Sequence, residues 1–184
     1  MSKDHSGNLE DEFLVYKIVE TQNQHLFGLL YDRYSNIIYN KCLSFVEDKE
    51  EAQDMTQDIF IKLFMKLKGF NGKSKFSTWL YSFVYNFCIN HIQRKLKKNF
   101  SVTDDLVDSH EEEVADKEIF EMKIDNLQLA MKQLDVEDKT ILLMKYQDDF
   151  SIKDIAESLD IGESATKMRL NRAKARLLNI YNTL

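Results

Sequence analysis

The chain has 184 residues, a formal charge of −6, no proline and only five glycines. That length suits one large domain or two small ones, and so little proline and glycine removes most of the turn chemistry of β-sheet proteins, leaving long helices. No apolar run approaches the roughly 20 residues that cross a bilayer, and the opening stretch to Phe13 has no signal-peptide core, so the expectation is an all-α protein of the cytoplasm without membrane insertion.

Residues 1–8 read as a loose polar tail. A short helix follows, carrying Leu9, Phe13, Leu14, Tyr16, Ile18 and Val19. A long one comes next, in which Leu26, Leu29, Leu30, Tyr34, Ile37, Ile38, Cys42, Phe45 and Val46 recur at helical spacing. So many apolar positions predict packing against more than one neighbour, as in a small bundle. The third helix opens near Asp48, with acids in its first turn where the helix dipole favours them. Its apolar face is Ala52, Met55, Ile59, Leu63 and Leu67, widened by Phe60, Phe64 and Met65. Asp54, Gln57, Asp58 and Ile61 form a strip that, taken alone, is a solvated face.

The loop at 68–75 holds Gly69 and Gly72, but its spacing fits neither a P-loop nor a dinucleotide fingerprint. Ser77 or Thr78 is the expected cap of a fourth helix that runs to about Lys98. Leu80, Val84 and Phe87 make its apolar side, while Ser82, Asn86, Asn90, Gln93 and Lys97 form a polar stripe. Asn and Gln at that spacing can reach base edges, and Arg94, Lys95, Lys97 and Lys98 lie where phosphates would be held.

Charge is segregated along the chain. From 59 to 103 there is no Asp or Glu, and an aromatic block at 76–81 with Phe83, Tyr85 and Phe87 sits among lysines. Cations grip phosphates and aromatic faces can receive unstacked bases, although a core helix with a lysine rim has the same composition. From 104 to 121, nine carboxylates stand against the single Lys117. That marks a flexible acidic linker over 101–121, with a short helix beginning near Val114. It could shield the basic patches on either side or act as a simple tether.

A second domain spans 122–184, with the first at 9–100. Its first helix carries Ile124, Leu127, Leu129, Met131 and Leu134, and its second Ile141, Leu142, Leu143, Met144 and Tyr146. Ser151 with Asp154 has the capping-box form ahead of a third helix. Asp160, Ile161 and Gly162 make the turn into a last helix with Leu170, Ala173, Leu177 and Leu178 inward. Lys167, Arg169, Asn171, Arg172, Lys174 and Arg176 lie outward or flanking on that helix, the helix-turn-helix arrangement. Cys42 and Cys88 lie within apolar patterns and read as buried thiols. No metal-ligand pattern and no nucleophile with a paired base can be assembled, so neither a cofactor nor a catalytic residue is expected.

Both halves together resemble a bacterial RNA polymerase sigma factor of the sigma-70 family, extracytoplasmic-function type. The motifs that carry the resemblance are Asp54-x-x-Gln57-x-x-Phe60, the block Phe76-Ser-Thr-Trp79-Leu-Tyr81 with Asn86 and Arg94-Lys95 after it, and Ile155-Ala-Glu followed by Lys167-x-Arg169-Leu-x-Arg172-Ala173. The resemblance implies a promoter-specificity subunit that is not itself an enzyme, with core RNA polymerase, promoter DNA and an anti-sigma factor as partners. Asp54, Gln57 and Phe60 would then meet the β′ clamp helices. Asn71, Lys73, Lys75, Asn86, Asn90 and Arg94 would read and open the −10 element, with Trp79 as a core anchor. Lys167, Arg169, Asn171 and Arg172 would hold the −35 duplex, beside helices that meet the β flap. The chain departs from the family pattern at Asp160, where glycine is usual, and at Ala165-Thr166, where Thr-Val usually precedes Lys. The competing reading is a helix-turn-helix repressor or activator with residues 59–98 as a dimerisation or effector domain; such a regulator has no reason to combine the 54/57/60 strip with an acid-free aromatic and basic helix.

Overall fold

The computed structural model describes residues 10–99 and 116–184, with side chains to Lys97 in the first of these stretches. The expected polar tail at 1–8 and most of the acidic linker, 101–115, lie outside the described residues. The helices are α1 (Asp11–Thr21), α2 (Gln24–Val46), α3 (Lys49–Lys66), α4 (Phe76–Asn99), α5 (Asp116–Phe120), α6 (Ile124–Gln133), α7 (Val136–Leu142), α8 (Ile152–Leu159) and α9 (Glu163–Asn182). No strand occurs among the described residues. The chain divides into two compact units, 1–88 and 89–184.

Scarcity of glycine sets how the helices end. Gln22, Glu47 and Asp160 each close a helix in the left-handed conformation that glycine usually supplies, at a cost of about 1 kcal/mol per residue. At the other ends, Asn23, Asp48, Asp135 and Ser151 accept hydrogen bonds from first-turn amides, and Ser151 with Asp154 completes a reciprocal capping box.

The first unit packs α1, α2, α3 and α4 around Leu14, Ile18, Leu30, Ile38, Ile59, Leu63, Leu80 and Val84. The N-terminus of α4 is capped from elsewhere in the sequence: the carboxylate of Glu12 on α1 accepts the Phe76 N–H at 2.8 Å. Ser77 and Thr78, the expected caps, lie inside the helix, whose first bond runs from Trp79 N–H to the Lys75 carbonyl. The neighbouring Asp11 accepts from Arg33 at 2.7 Å and from the Tyr34 hydroxyl. Burial, with that carboxylate beside it, holds the Tyr34 hydroxyl far above its ordinary pKa.

α4 also sits slightly rotated from its expected orientation. Phe76, Leu80, Val84, Tyr85 and Cys88 are buried and Phe87 only half so, because Tyr85 and Cys88 turn toward α2. There the Lys41 side chain, only 3 % exposed, lies with its ammonium 4.4 Å and 4.9 Å from the centroids of the Tyr81 and Tyr85 rings. It donates to the Tyr85 hydroxyl at 3.2 Å. Cys42 and Cys88 are buried free thiols that hydrogen-bond each other.

In the second unit the acidic stretch holds a short helix, as expected there, described from Asp116 on. Asp116–Phe120 is a short helix, with Ile119 buried. Its Asp116 carboxylate accepts from the Tyr146 hydroxyl at 2.6 Å and from the Lys174 ammonium at 3.1 Å. Of Lys174 and Arg176, both expected outward or flanking, Lys174 is drawn in by an acid and Arg176 stays exposed while pairing with two. The Lys174 side chain is buried, and Arg176 donates to Asp138 at 2.6 Å and to Asp135 at 3.3 Å. On α6, Ala130 is buried with Leu134 just beyond, whereas Ile124 and Leu129, assigned by spacing to the apolar face, are exposed. Past Leu142 the helix widens into a π-helical turn over Leu143–Gln147, which the spacing of 141–146 did not signal.

Glu12→Ala removes the acceptor at the start of α4 and should destabilise the first unit by about 1 kcal/mol in urea unfolding of the full chain. The two acids of the second unit carry opposite pH signs. Burial lifts the Asp138 carboxyl above its ordinary value by more than Arg176 lowers it. Its contribution therefore favours folding at low pH and turns against it as pH rises through the raised value. The Tyr146 hydrogen bond, then Lys174, hold Asp116 below its ordinary value; its contribution is present above the ordinary carboxylate range and is lost as pH falls through the lowered one. Asp138→Asn should raise the urea midpoint at neutral pH, and Asp116→Asn should lower it. Both differences should shrink in acid below the carboxylate range.

Candidate functional site

On α3, a rotation of about 100° per residue places Asp54, Asp58, Ile61 and Met65 along one line with Gln57 and Phe64 beside it. Asp54, Gln57 and Asp58 are exposed, as are Ile61 at 62 % and Met65 at 63 %. Phe60, placed on the apolar face by its spacing and with the strip only by the family resemblance, is 4 % exposed, with its ring 4.5 Å from Tyr31 and edge-on to Phe27 at 6.3 Å. The exposed strip is thus a mixed acidic and apolar ridge, and Phe60 holds it from below. Met65, counted with the apolar face in the sequence, belongs to the ridge.

The 71–75 loop is pinned at both ends. Phe70 packs edge-on to Phe76 at 5.4 Å and against Trp79 at 5.6 Å. Between these anchors Asn71, Lys73 and Lys75 are exposed. The Asn71 side chain accepts from the Lys73 N–H at 3.1 Å, and Gly72 takes a φ of 70°, so a side chain at that position would be strained. Trp79 continues the aromatic series, half-buried between Phe76 and a near-parallel Phe83 at 6.3 Å. It is part of the wall that carries the loop.

On α4, Asn86 is half-buried, and Asn90 and Arg94 are exposed, one turn apart in succession. Of the stripe expected from the spacing, Ser82, Asn86 and Gln93 are half-buried and Asn90 and Lys97 exposed, with Arg94 beside them. Amide side chains on a helix are of the kind that can hydrogen-bond base edges, and lysine and arginine of the kind that can hold phosphates.

The second unit presents the helix-turn-helix. Asp160 adopts φ 54° and ψ 47° between α8 and α9, so aspartate fills the left-handed position. Thr166 is fully buried, with its hydroxyl on the Gly162 carbonyl at 3.1 Å. It packs where a valine would, and its hydroxyl is used internally. Lys167, Asn171 and Arg172 share one side of α9, with Met168 exposed between them. Arg169 turns away from that side, and its guanidinium lies 3.7 Å from Glu137 on α7. The four candidates are therefore three on one face and one on its flank. The exposed Met168, which spacing alone did not single out, lies among them.

Among the described residues no cluster of His, Cys, Asp or Glu could hold a metal, and no helix is long and apolar enough to cross a membrane. Residues 30–98 match the family model for sigma-70 region 2, and residues 124–177 match that for sigma-70 region 4. The chain is 31% identical over 172 residues to the ECF RNA polymerase sigma factor SigW of Bacillus subtilis, covering 88% of this chain and 91% of that one. It is 26% identical over 185 residues to the ECF RNA polymerase sigma-E factor of Haemophilus influenzae, with 93% and 95% covered. Among solved structures it resembles CnrH, determined with the cytosolic domain of CnrY, with a TM-score of 0.64 at 20% identity over 94% of this chain and 97% of that one. The Bartonella quintana sigma factor RpoE, determined with the anti-sigma factor NepR, gives 0.60 at 18% identity over 85% and 96%. These two establish the shared fold. The ridge on α3, the stripe on α4 and the cationic face of α9 thus lie within the two matched regions, and the chain belongs to the extracytoplasmic-function RNA polymerase sigma factors of the sigma-70 family.

Proposed function

We propose that the chain works as the promoter-specificity subunit of RNA polymerase through three surfaces, each on a separate helix. Asp54, Gln57 and the ridge they share with Ile61 dock on the β′ clamp helices of core polymerase, with Phe60 as the buried support of that surface. Asn71, Lys73 and Lys75 of the loop, with Asn86, Asn90 and Arg94 of α4, take the −10 element and hold its separated strand. Lys167, Asn171 and Arg172 of α9 take the −35 duplex, Arg169 acting at the margin, and the neighbouring helices meet the β flap. In domain terms, 9–100 docks and opens, 122–184 recognises the upstream element, and the stretch between them tethers the two.

The observation that best supports this reading is the division of labour between α3 and α4. A helix with an exposed acidic and apolar ridge packs on a helix with an amide stripe and no acid of its own. A simple operator-binding regulator has use for the cationic face of α9 but none for that ridge. Opening a base pair costs a few kcal/mol, which a pinned loop with preset donors can offset. The chain carries no catalytic step; bond formation belongs to the polymerase, and the work is done in the cytoplasm. Relatives of the same fold were determined with CnrY and with the anti-sigma factor NepR. An anti-sigma protein is correspondingly proposed as the partner that covers the docking ridge here.

Run-off transcription with purified core polymerase on random promoter templates tests the reading. Initiation at defined sites, dependent on the chain, is expected; binding of duplex without core and no initiation would identify an ordinary regulator instead. Asp54→Ala with Gln57→Ala should abolish core binding with helical content intact by circular dichroism. Asn86→Ala should keep core binding and lower initiation about tenfold or more, the scale of one lost base contact.

A further inference from the structure

Lys62 is an exposed residue of α3 whose ammonium nevertheless has a defined place, 4.5 Å from the centroid of the Phe87 ring on α4. Phe87 directly follows Asn86 and precedes Asn90 by three residues, so it borders the stripe on which both asparagines lie. A cation is thereby held from α3 at the margin of the α4 stripe. Arg169, Lys174 and Arg176 each face a carboxylate, whereas no carboxylate among the described residues lies within ion-pair distance of Lys62. Asp58, one turn before it on α3, is likewise not within ion-pair distance of its ammonium, and from 59 to 103 the sequence carries no acid at all.

The ring contact and phosphate binding are compatible. An aromatic face attracts the ammonium through the ring quadrupole and leaves N–H donors pointing outward. It also limits the wandering of a flexible side chain, so less freedom remains to be lost when an anion arrives. We infer that Lys62 is a phosphate-binding residue of the first domain, gripping the backbone of the single strand whose bases the 71–75 loop and the α4 stripe receive. The same turn of α3 therefore presents Ile61 to the polymerase and Lys62 to the nucleic acid. This rests on the sigma-subunit reading given above.

The test uses the full chain assembled on core polymerase and a fluorescently labelled single-stranded DNA of random sequence, with core alone as the baseline. The readout is chain-dependent affinity across a series of salt concentrations. Lys62→Gln should weaken binding about fivefold at low salt and make the slope of log K against log salt shallower by about 0.7, the value for one phosphate contact on a single strand. Lys62→Arg should restore both, and Lys49→Gln, which removes an exposed charge at the far end of α3, should change neither. Unchanged affinity in Lys62→Gln would overturn the inference. So would a weaker affinity with the wild-type slope, since Lys62 would then act only by packing on Phe87; a lowered melting temperature would accompany that case. Loss of all chain-dependent binding in the wild type would instead sink the sigma-subunit reading, and this inference with it.

Discussion

The rotation of α4 about its own axis is the constraint on which the first domain depends. Phe76, Leu80, Val84, Tyr85 and Cys88 occupy its inner side, so Asn86 and Asn90 must lie toward the outside. A helix rotated by one residue would move every side chain by about 100° and put an asparagine against the core, where an unpaired amide is costly. Several independent contacts hold this rotation. Glu12 fixes the first amide of the helix, Lys41 holds Tyr81 and Tyr85 from α2, and Lys62 meets Phe87 from α3. They approach from three different helices, so the orientation of the stripe belongs to the bundle as a whole.

Legibility in the sequence followed the range of the forces involved. Helix number, type and approximate bounds come from apolar spacing and local caps, and the long α2, the Asp48 and Ser151 starts and the Asp160 turn were all readable there. Interactions between helices were not. The cap of α4 lies 64 residues away in Glu12, so the nearby Ser77 and Thr78 were the natural but incorrect choice. Lys41 interrupts an apolar face and has no signal at all in spacing, because its environment consists of two tyrosines from a later helix.

The candidate site was read with the same asymmetry. Periodicity identifies a face but not its edges, and the residues that moved were at edges: Met65 out of the apolar face of α3 and Arg169 to the flank of the α9 face, while Phe60 stayed in the core where its spacing put it. Lys174 and Arg176 illustrate a second limit. A cation on a predicted nucleic-acid helix reads as a phosphate contact until its carboxylate is found, and here the acids sit on α5 and α7.

Those pairings change what the overall charge means. An acidic total argues against nucleic acid only if the acids stand near the binding surface. In the second unit several are committed internally: Asp116 to Lys174, Asp135 and Asp138 to Arg176, and Glu137 beside Arg169. Such pairs neutralise cations on the inner and flanking sides of α9 and leave Lys167 and Arg172 exposed on the remaining one. At physiological salt a charge is felt over about 8 Å, so a phosphate approaching that side responds to the local cations more than to the total. The acids thus sharpen the cationic face of α9 by confining it. From the last two turns of α3 through the 71–75 loop and α4 the same end is reached differently, by leaving acid out of the sequence from 59 to 103 altogether.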